Sequence, residues 1–112
     1  MLTSGDIVLL DFGVPTGHEA GFPRPAVIVT AATILKRRPS VVQVVPLTST
    51  NRGYDSEIRV AAASSSGLTQ DSVAQCQHIR SVSAARLTDP VGAVSPVELR
   101  QIRETIALLI DL

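Results

Sequence analysis

The chain has 112 residues, a length that supports one domain with a single modest core. Apolar residues make up 45% and charged residues 18%, a composition that excludes a disordered chain. Ten basic residues balance ten acidic ones, so the net charge alone gives no indication of a nucleic-acid partner. Because aromatic residues are only 3%, the core must be packed from smaller aliphatic side chains, and so thin a core favours a dimer.

The first half of the chain predicts three strands. Apolar and β-branched runs place them at 7–12, 26–30 and 40–47. Between the first two strands, residues 13–23 contain three Gly and two Pro, which indicates a long loop of the kind that often binds ligands. The third strand is apolar nearly throughout, which predicts burial on both faces, and Pro46 near its end predicts an edge or a bulge.

A single helical turn over 31–35 is predicted between the second and third strands. It is followed by the basic connection Lys36-Arg37-Arg38-Pro39, which is typical of solvated surface and, less often, of a loop that contacts RNA.

The second half predicts shorter strands and one helix. Residues 57–60 and 72–77 alternate between apolar and polar, residues 79–83 extend or bend the latter strand, and 91–94 form a last short strand. Ser95-Pro96-Val97-Glu98 is a capping box with proline at the first helical position. The apolar face that follows consists of Leu99, Ile102, Ile106 and Leu109. The pattern predicts one domain over 1–112, mainly β, as an antiparallel barrel or sandwich with a C-terminal helix.

The single cysteine, Cys76, cannot form an internal disulfide, which fits a reducing cytoplasm and predicts a small buried side chain. The apolar run at 7–10 is too short for a signal sequence or a membrane span. We therefore expect a cytoplasmic protein with no membrane association.

Arg24 and Thr48 are the strongest candidates for chemistry. Pro25 holds Arg24 extended at the start of the second strand, and Thr48 follows the third strand. If these strands are neighbours, a fixed cation and a hydroxyl lie on a common rim, which would form a phosphate site. The alternatives are an ion pair between Arg24 and a loop carboxylate such as Glu19, and a Thr48 side chain that caps the strand end.

The remaining pattern indicates no metal or cofactor site. His18, Cys76 and His78 do not have the spacing of a zinc site, and no glycine-rich phosphate loop follows a strand. Residues 24–59 contain six basic and two acidic residues, and nine of the ten basic residues of the chain are arginine. Arginine binds phosphate bidentately and stacks on bases, although an ordinary solvated surface explains the same pattern.

Six short elements occur in the order and spacing of a known family. They are Gly5-Asp6-Ile7-Val8, Gly17-His18-Glu19, Arg24-Pro25-Ala26-Val27-Ile28-Val29, Val45-Pro46-Leu47-Thr48-Ser49, Ile79-Arg80-Ser81 and Val91-Gly92-Ala93-Val94-Ser95-Pro96, with a Gly53-Tyr54 turn. The chain thereby resembles the MazF/PemK toxin endoribonucleases of type II toxin–antitoxin systems, which share their fold with CcdB-like toxins. The resemblance implies a homodimeric SH3-like barrel. It also implies metal-independent cleavage of single-stranded RNA at short sequences, leaving 2′,3′-cyclic phosphate and 5′-OH ends and so inhibiting translation and growth.

The resemblance also assigns residues. Arg24 and Thr48 match the principal catalytic pair, while Glu19 and His18 match a loop carboxylate and a loop histidine that either take part in catalysis or order the loop. The PemK branch has an acid–base pair of Arg and Asp where this chain has Gln75 and Gln77, and amides cannot transfer protons at useful pH. Arg24 is then expected to stabilise the transition state, with proton donation to the leaving oxygen as a second role. The general base stays open between Glu19, His18 and water.

Further residues are expected to contact RNA by charge, hydrogen bonding or stacking. They are Lys36, Arg37, Ser49, Arg52, Gln77 and His78. The expected protein partner is a MazE-like antitoxin whose disordered acidic tail folds over the groove. Two alternatives are a CcdB-like toxin that binds DNA gyrase without catalysis, and an inactive paralogue that still binds RNA.

Overall fold

The structure is a computed structural model that describes residues 2–112. Seven antiparallel strands form one curled sheet, in the order β4-β5-β3-β2-β1-β7 with β6 paired to β3. The strands are β1 Asp6–Asp11, β2 Pro23–Ile28, β3 Val41–Thr48, β4 Glu57–Val60, β5 Ser72–Gln75, β6 Arg80–Ser83 and β7 Gly92–Ala93. The helices are α1 Ala32–Leu35 and α2 Pro96–Leu109, and short 3-10 turns cover Cys76–His78 and Ala84–Arg86. The predicted mainly β fold with a C-terminal helix is confirmed.

β3 is the central strand, so the sequence-based placement of Pro46 at an edge needs a correction. On one side β3 pairs with β2, including Ala26 opposite Pro46. On its other side it pairs with β6 from Val41 to Val44 and with β5 only from Leu47 onward. Pro46 therefore lies where β3 changes partner, and its missing N–H interrupts no ladder on that side.

The segment 72–83 bends and does not continue as one strand. β5 ends at Gln75, the 3-10 turn Cys76–His78 follows, and β6 starts at Arg80. The backbone N–H of Cys76 donates to Ser56 O at 3.1 Å, and Ile79 N–H donates to Cys76 O at 3.2 Å. This turn connects β5, which pairs with the end of β3, to β6, which pairs with the first half of β3.

The two faces of the sheet form two apolar clusters. One cluster includes Ile7, Val27 and Val45 and is covered by α2 through Ile102. The other includes Val8, Ala26 and Val44 and is closed at one end by Leu35 of α1. Burial of β3 on both faces is thereby confirmed, since the four residues of this strand that contribute to these clusters are 0–1% exposed.

The helix α2 begins as its sequence predicts. Ser95 Oγ accepts from Glu98 N–H at 3.1 Å, and the Glu98 carboxylate accepts from Ser95 N–H at 2.8 Å. Leu99, Ile102 and Ile106 pack on the core, but Leu109 is 48% exposed because the last turn extends past the sheet. The prediction that Leu109 completes the packed face is wrong for this single chain.

Cys76 is fully buried, as predicted, and its burial raises the pKa of the thiol to about 11. Within residues 2–112, neither helix has the length and apolar character needed to cross a membrane.

Candidate active site

Arg24 occupies the start of β2, where the sheet opens into a groove. It pairs in register with the buried Leu10 of β1, so its side chain lies on the same face of the sheet as Leu10. The β2–β3 ladder pairs Ala26 with Pro46, and continuing that register places Thr48 opposite Arg24. The expectation that β2 and β3 are neighbours is confirmed.

Two adjoining cavities form what we call the groove. The first has a volume of about 470 Å³, and its lining consists of Gly17, His18, Glu19, Ala20, Arg24, Arg52, Tyr54, Ser56, Gln75, Gln77 and His78. The second has about 400 Å³ and is lined by Glu19, Ala20, Gln77, His78, Ile79 and Arg80. Glu19, Ala20, Gln77 and His78 are common to both and therefore lie where the cavities meet. The groove thus brings together the predicted Arg24, His18, Glu19, Arg52, Gln77 and His78.

The guanidinium of Arg24 is oriented by neutral acceptors. Its Nε–H donates to the carbonyl oxygen of Gly21 at 2.9 Å, and one terminal nitrogen donates to Gln75 Oε1 at 3.4 Å. The only ion pair within residues 2–112 joins Arg59 to Asp71. The alternative in which Arg24 is paired to Glu19 is therefore not observed, and the charge of Arg24 is available to an anion in the groove.

The loop 12–22 supplies the carbonyl that holds Arg24. Phe22 N–H donates to Gly13 O at 2.7 Å and closes the base of the loop. Thr16 N–H donates to Glu19 Oε1 at 3.0 Å, so one oxygen of this carboxylate orders the loop itself. A side chain at Gly21 would meet the ring of Pro15 at 2.4 Å, which explains why glycine is needed here.

Gln75 and Gln77 take part in the groove as hydrogen-bonding groups. Gln75 is only 5% exposed and accepts from Arg24 through Oε1, and Gln77 Oε1 accepts from Ser56 Oγ at 2.8 Å. With both carbonyl oxygens engaged by protein donors, the amide N–H₂ groups are left to donate to a ligand. The structural role of Gln75 was not predicted, because the partners Arg24 and Gln75 are 51 residues apart.

His78 lies at the junction of the two cavities and is partly buried. Burial lowers the pKa of His78 below its ordinary value of 6.5, and the positive charges of Arg24 and Arg52 lower it further. The carboxylates of Glu19 and Glu57 raise this pKa without reversing the net direction. His78 is therefore neutral at pH 7.

Glu57 was also missed by sequence reasoning. Its Oε1 accepts from the backbone N–H of Arg52 at 3.1 Å and so fixes the loop that carries Arg52. Its Oε2 is buried and has no hydrogen-bond partner within residues 2–112. Arg80 was missed as well: it lines the second cavity, and its guanidinium lies 5.6 Å from the centre of the Phe12 ring. The positions of Glu57 and Arg80 in predicted strands did not indicate that one fixes the Arg52 loop and the other lines the groove.

Thr48 and Ser49 lie outside the lining of the groove. They border a separate depression of about 190 Å³, together with Pro25, Leu47, Leu68, Thr69, Gln70 and Ser72. Thr48 Oγ1 accepts from Thr50 N–H at 3.2 Å, the strand-end cap that was the alternative role for this residue. Its hydroxyl proton is still free to donate, so a phosphate contact by Thr48 stays a prediction.

Lys36 and Arg37 lie at the other end of β2 and β3. They follow α1 in the connection between these strands, whereas Arg24 begins β2 and Thr48 ends β3. β2 has six residues, so the two ends are separated by roughly 20 Å. The structure does not bring these two basic residues to the groove, and their contact with RNA stays a prediction.

Within residues 2–112, no three or more His, Cys, Asp or Glu side chains are grouped so that they could hold a metal ion. The groove instead offers three arginines, amide donors and a neutral imidazole. Such a set can bind a phosphodiester, stabilise added negative charge on it and move one proton.

Residues 3–110 match a protein family described as PemK-like, MazF-like toxin of type II toxin-antitoxin system. The chain is 37% identical over 117 residues to Endoribonuclease MazF9 of Mycobacterium tuberculosis, in an alignment that covers 100% of this chain and 98% of that protein. Its structure is similar to the crystal structure of MazF from Deinococcus radiodurans, with a TM-score of 0.81, 26% identity and coverage of 97% and 96%. It is also similar to a MazE–MazF structure from Deinococcus radiodurans, with a TM-score of 0.75, 26% identity and coverage of 97% and 95%.

Proposed function

The chain belongs to the PemK-like, MazF-like toxin family of type II toxin–antitoxin systems, and we propose that it cleaves single-stranded RNA in the groove that contains Arg24. It is an endoribonuclease toxin, in keeping with the endoribonucleases to which it is similar over its whole length. Those relatives favour RNA cleavage over the gyrase-binding alternative. One observation supports placing the reaction in this groove. The Arg24 guanidinium is oriented by neutral acceptors and is not paired with a carboxylate.

The cleavage needs no metal in this proposal, because the groove supplies what internal attack of a 2′-OH requires. Arg24 binds the scissile phosphate and stabilises the extra negative charge of the transition state. Arg52 and the amides of Gln75 and Gln77 bind further phosphate or base groups. The 2′-oxygen forms a bond to phosphorus while the bond to the 5′-oxygen breaks, which gives 2′,3′-cyclic phosphate and 5′-OH ends.

The toxin acts as a cytoplasmic homodimer and is neutralised by a MazE-like antitoxin. A related toxin was solved as a MazE–MazF complex, which supports a partner of this class. Three arginines line the groove. An acidic, disordered antitoxin tail that folds into the groove would pair with these arginines and so exclude RNA.

Purified protein should be incubated with a long unstructured RNA in the presence of EDTA. We expect cuts at discrete sequences, mapped by primer extension, whose new 5′ ends accept phosphate from a polynucleotide kinase without prior dephosphorylation. Cleavage that EDTA abolishes would contradict the metal-independent reaction. RNA that is bound but never cut would indicate the inactive paralogue, and intact RNA together with stalled gyrase would indicate the CcdB-like alternative.

A further inference from the structure

The proposed reaction needs a group that removes the proton of the attacking 2′-OH. Four carboxylate or imidazole side chains are near enough to be considered: His18, Glu19, Glu57 and His78. We propose that His78 is the general base of the cleavage reaction, an inference that rests on the proposed function of the groove.

Position favours His78 over the two loop residues. His18 and Glu19 are exposed on the loop 12–22, and Glu19 Oε1 is already engaged by Thr16 N–H. His78 ends the 3-10 turn that begins at the fully buried Cys76, whose N–H donates to Ser56 O. A catalytic group is placed more accurately by a turn fixed to the core than by an exposed loop.

The junction of the two cavities is where an endonuclease needs its reacting groups. An RNA strand that is cut internally must continue on both sides of the scissile phosphate, so the base should lie between two binding regions. His78 borders both cavities, with Arg24 in the lining of the first and Arg80 in the lining of the second. Glu57, by contrast, borders neither cavity and has its Oε2 buried.

The protonation state agrees with this role. The lowered pKa of His78 leaves the imidazole unprotonated at neutral pH, as a base must be, and imidazole is closer to the best basicity for that pH than an ordinary carboxylate. The charged groups that act on His78 are Arg24 and Arg52, which favour its neutral form, and Glu19 and Glu57, which oppose them.

The step is balanced with water as the only other participant. A ring nitrogen of His78 accepts the proton of the 2′-OH as the 2′-oxygen bonds to phosphorus. The bond between phosphorus and the 5′-oxygen breaks, and this oxygen takes a proton from a water molecule in the groove. The imidazolium of His78 returns its proton to the hydroxide so formed, which restores the neutral ring.

The decisive experiment compares wild type and His78→Gln on two oligoribonucleotides that contain one mapped cleavage site. One has the natural 5′-oxygen, and the other has 5′-sulfur at the scissile bond, a leaving group that needs no protonation. We expect His78→Gln to lower kcat/KM by ~10²-fold or more on both substrates, because a base is needed whatever group leaves. Binding of a non-cleavable 2′-O-methyl analogue should change by less than about threefold, which corresponds to about 0.7 kcal/mol.

Three results would overturn the assignment. They are near-normal cleavage by His78→Gln, a defect that disappears on the sulfur substrate, and a loss of RNA binding that accounts for the whole defect. A wild-type protein that cuts no RNA would instead reject the proposed function. His78→Ala gives an independent check, since imidazole added to the buffer should restore part of its activity while leaving a merely misfolded variant inactive.

The charges around His78 provide a test in the free protein. The positive charge of Arg52 lowers the pKa of His78. Arg52→Gln removes that charge, so it should raise this pKa and move the NMR titration of His78 to higher pH. Glu57→Gln removes an anion and should move it to lower pH. The chain has two histidines, so His18→Gln assigns the signals. In the plot of kcat/KM against pH, activity falls on the acidic side as His78 becomes protonated. This acidic limb should move to higher pH in Arg52→Gln and to lower pH in Glu57→Gln. An acidic limb that stays at the same pH in both variants would contradict the inference.

Discussion

Arg24 is held by a carbonyl and an amide, and this choice of partners determines how much of its charge reaches a substrate. A carboxylate partner would neutralise the guanidinium and compete with RNA phosphate for it. Gly21 O and Gln75 Oε1 fix its orientation with dipoles only. The remaining guanidinium N–H groups keep the planar, two-pronged arrangement that suits a phosphodiester.

At this residue scale, we expect Arg24→Ala to lower the cleavage rate by ~10²-fold or more, as removal of one transition-state donor does. Arg24→Lys should recover only a small part of this rate, because lysine keeps the charge but loses the Nε–H bond to Gly21 and the bidentate geometry. Rates are to be measured on one mapped RNA site at saturating protein.

Arg100→Ala is the control, since it removes another arginine side chain, one that is exposed on α2 and lies outside the groove. Thr48→Ala should cost less than Arg24→Ala, because Thr48 lies outside the groove lining and already accepts from Thr50 N–H. Near-normal cutting by Arg24→Ala would remove the proposed mechanism.

At the scale of elements, the loop 12–22 determines where the Arg24 guanidinium points. The contact between Gly21 and the Pro15 ring folds the loop back on itself and presents Gly21 O to Arg24 Nε. The loop has no regular secondary structure, yet its Phe22–Gly13 hydrogen bond and the Thr16–Glu19 bond give it a defined shape.

We expect Gly21→Ala to reduce cleavage by roughly tenfold while leaving the fold intact, because displaced catalytic geometry costs rate even when chemistry is unchanged. The added Cβ would lie 2.4 Å from the nearest Pro15 ring atom, so the loop must move. Activity and thermal unfolding are measured together to separate the two effects.

Pro15→Gly removes the ring that causes the clash. In this background Gly21→Ala should cost little more activity, which a double-mutant cycle would detect as coupling. Additive losses from the two substitutions would show that the Pro15–Gly21 contact is not what positions Arg24.

At the scale of the whole molecule, the end of α2 leaves apolar side chains exposed. Leu108 is 80% exposed, Ile110 58% and Leu112 89%, well beyond the rim of the first core cluster. An exposed apolar group of this kind on a chain with so few aromatic residues is consistent with the homodimer of the proposed function.

We expect the double variant Leu108→Asp/Leu112→Asp to shift the protein from dimer to the 11.8 kDa monomer in light scattering, because two charges would be desolvated in the interface. Val97→Asp makes the same type of change at the other end of α2, where the side chain is 51% exposed, and should stay dimeric. A double variant with unchanged mass would place the interface elsewhere.

Much of the fold was predictable from local sequence. The β-branched runs gave the main strands, Ser95 and Glu98 gave the start of α2, and Cys76 was expected to be buried. The bend at Cys76–His78 was less clear, since alternation continues on both sides of it and only the change of partner along β3 requires the turn. The exposure of Leu109 was not predictable, because periodicity does not report where the sheet beneath a helix ends.

The sequence by itself determined the class of fold, the resemblance to a toxin family and the placement of Arg24 at the start of a strand, since neighbouring residues within a few positions set these features. Only the tertiary structure decided that Arg24 is held by Gln75, that Thr48 faces a separate depression and that His78 stands between two cavities. These relations join residues far apart in the chain, and they depend on strand register and on the curl of the sheet, which no local pattern specifies.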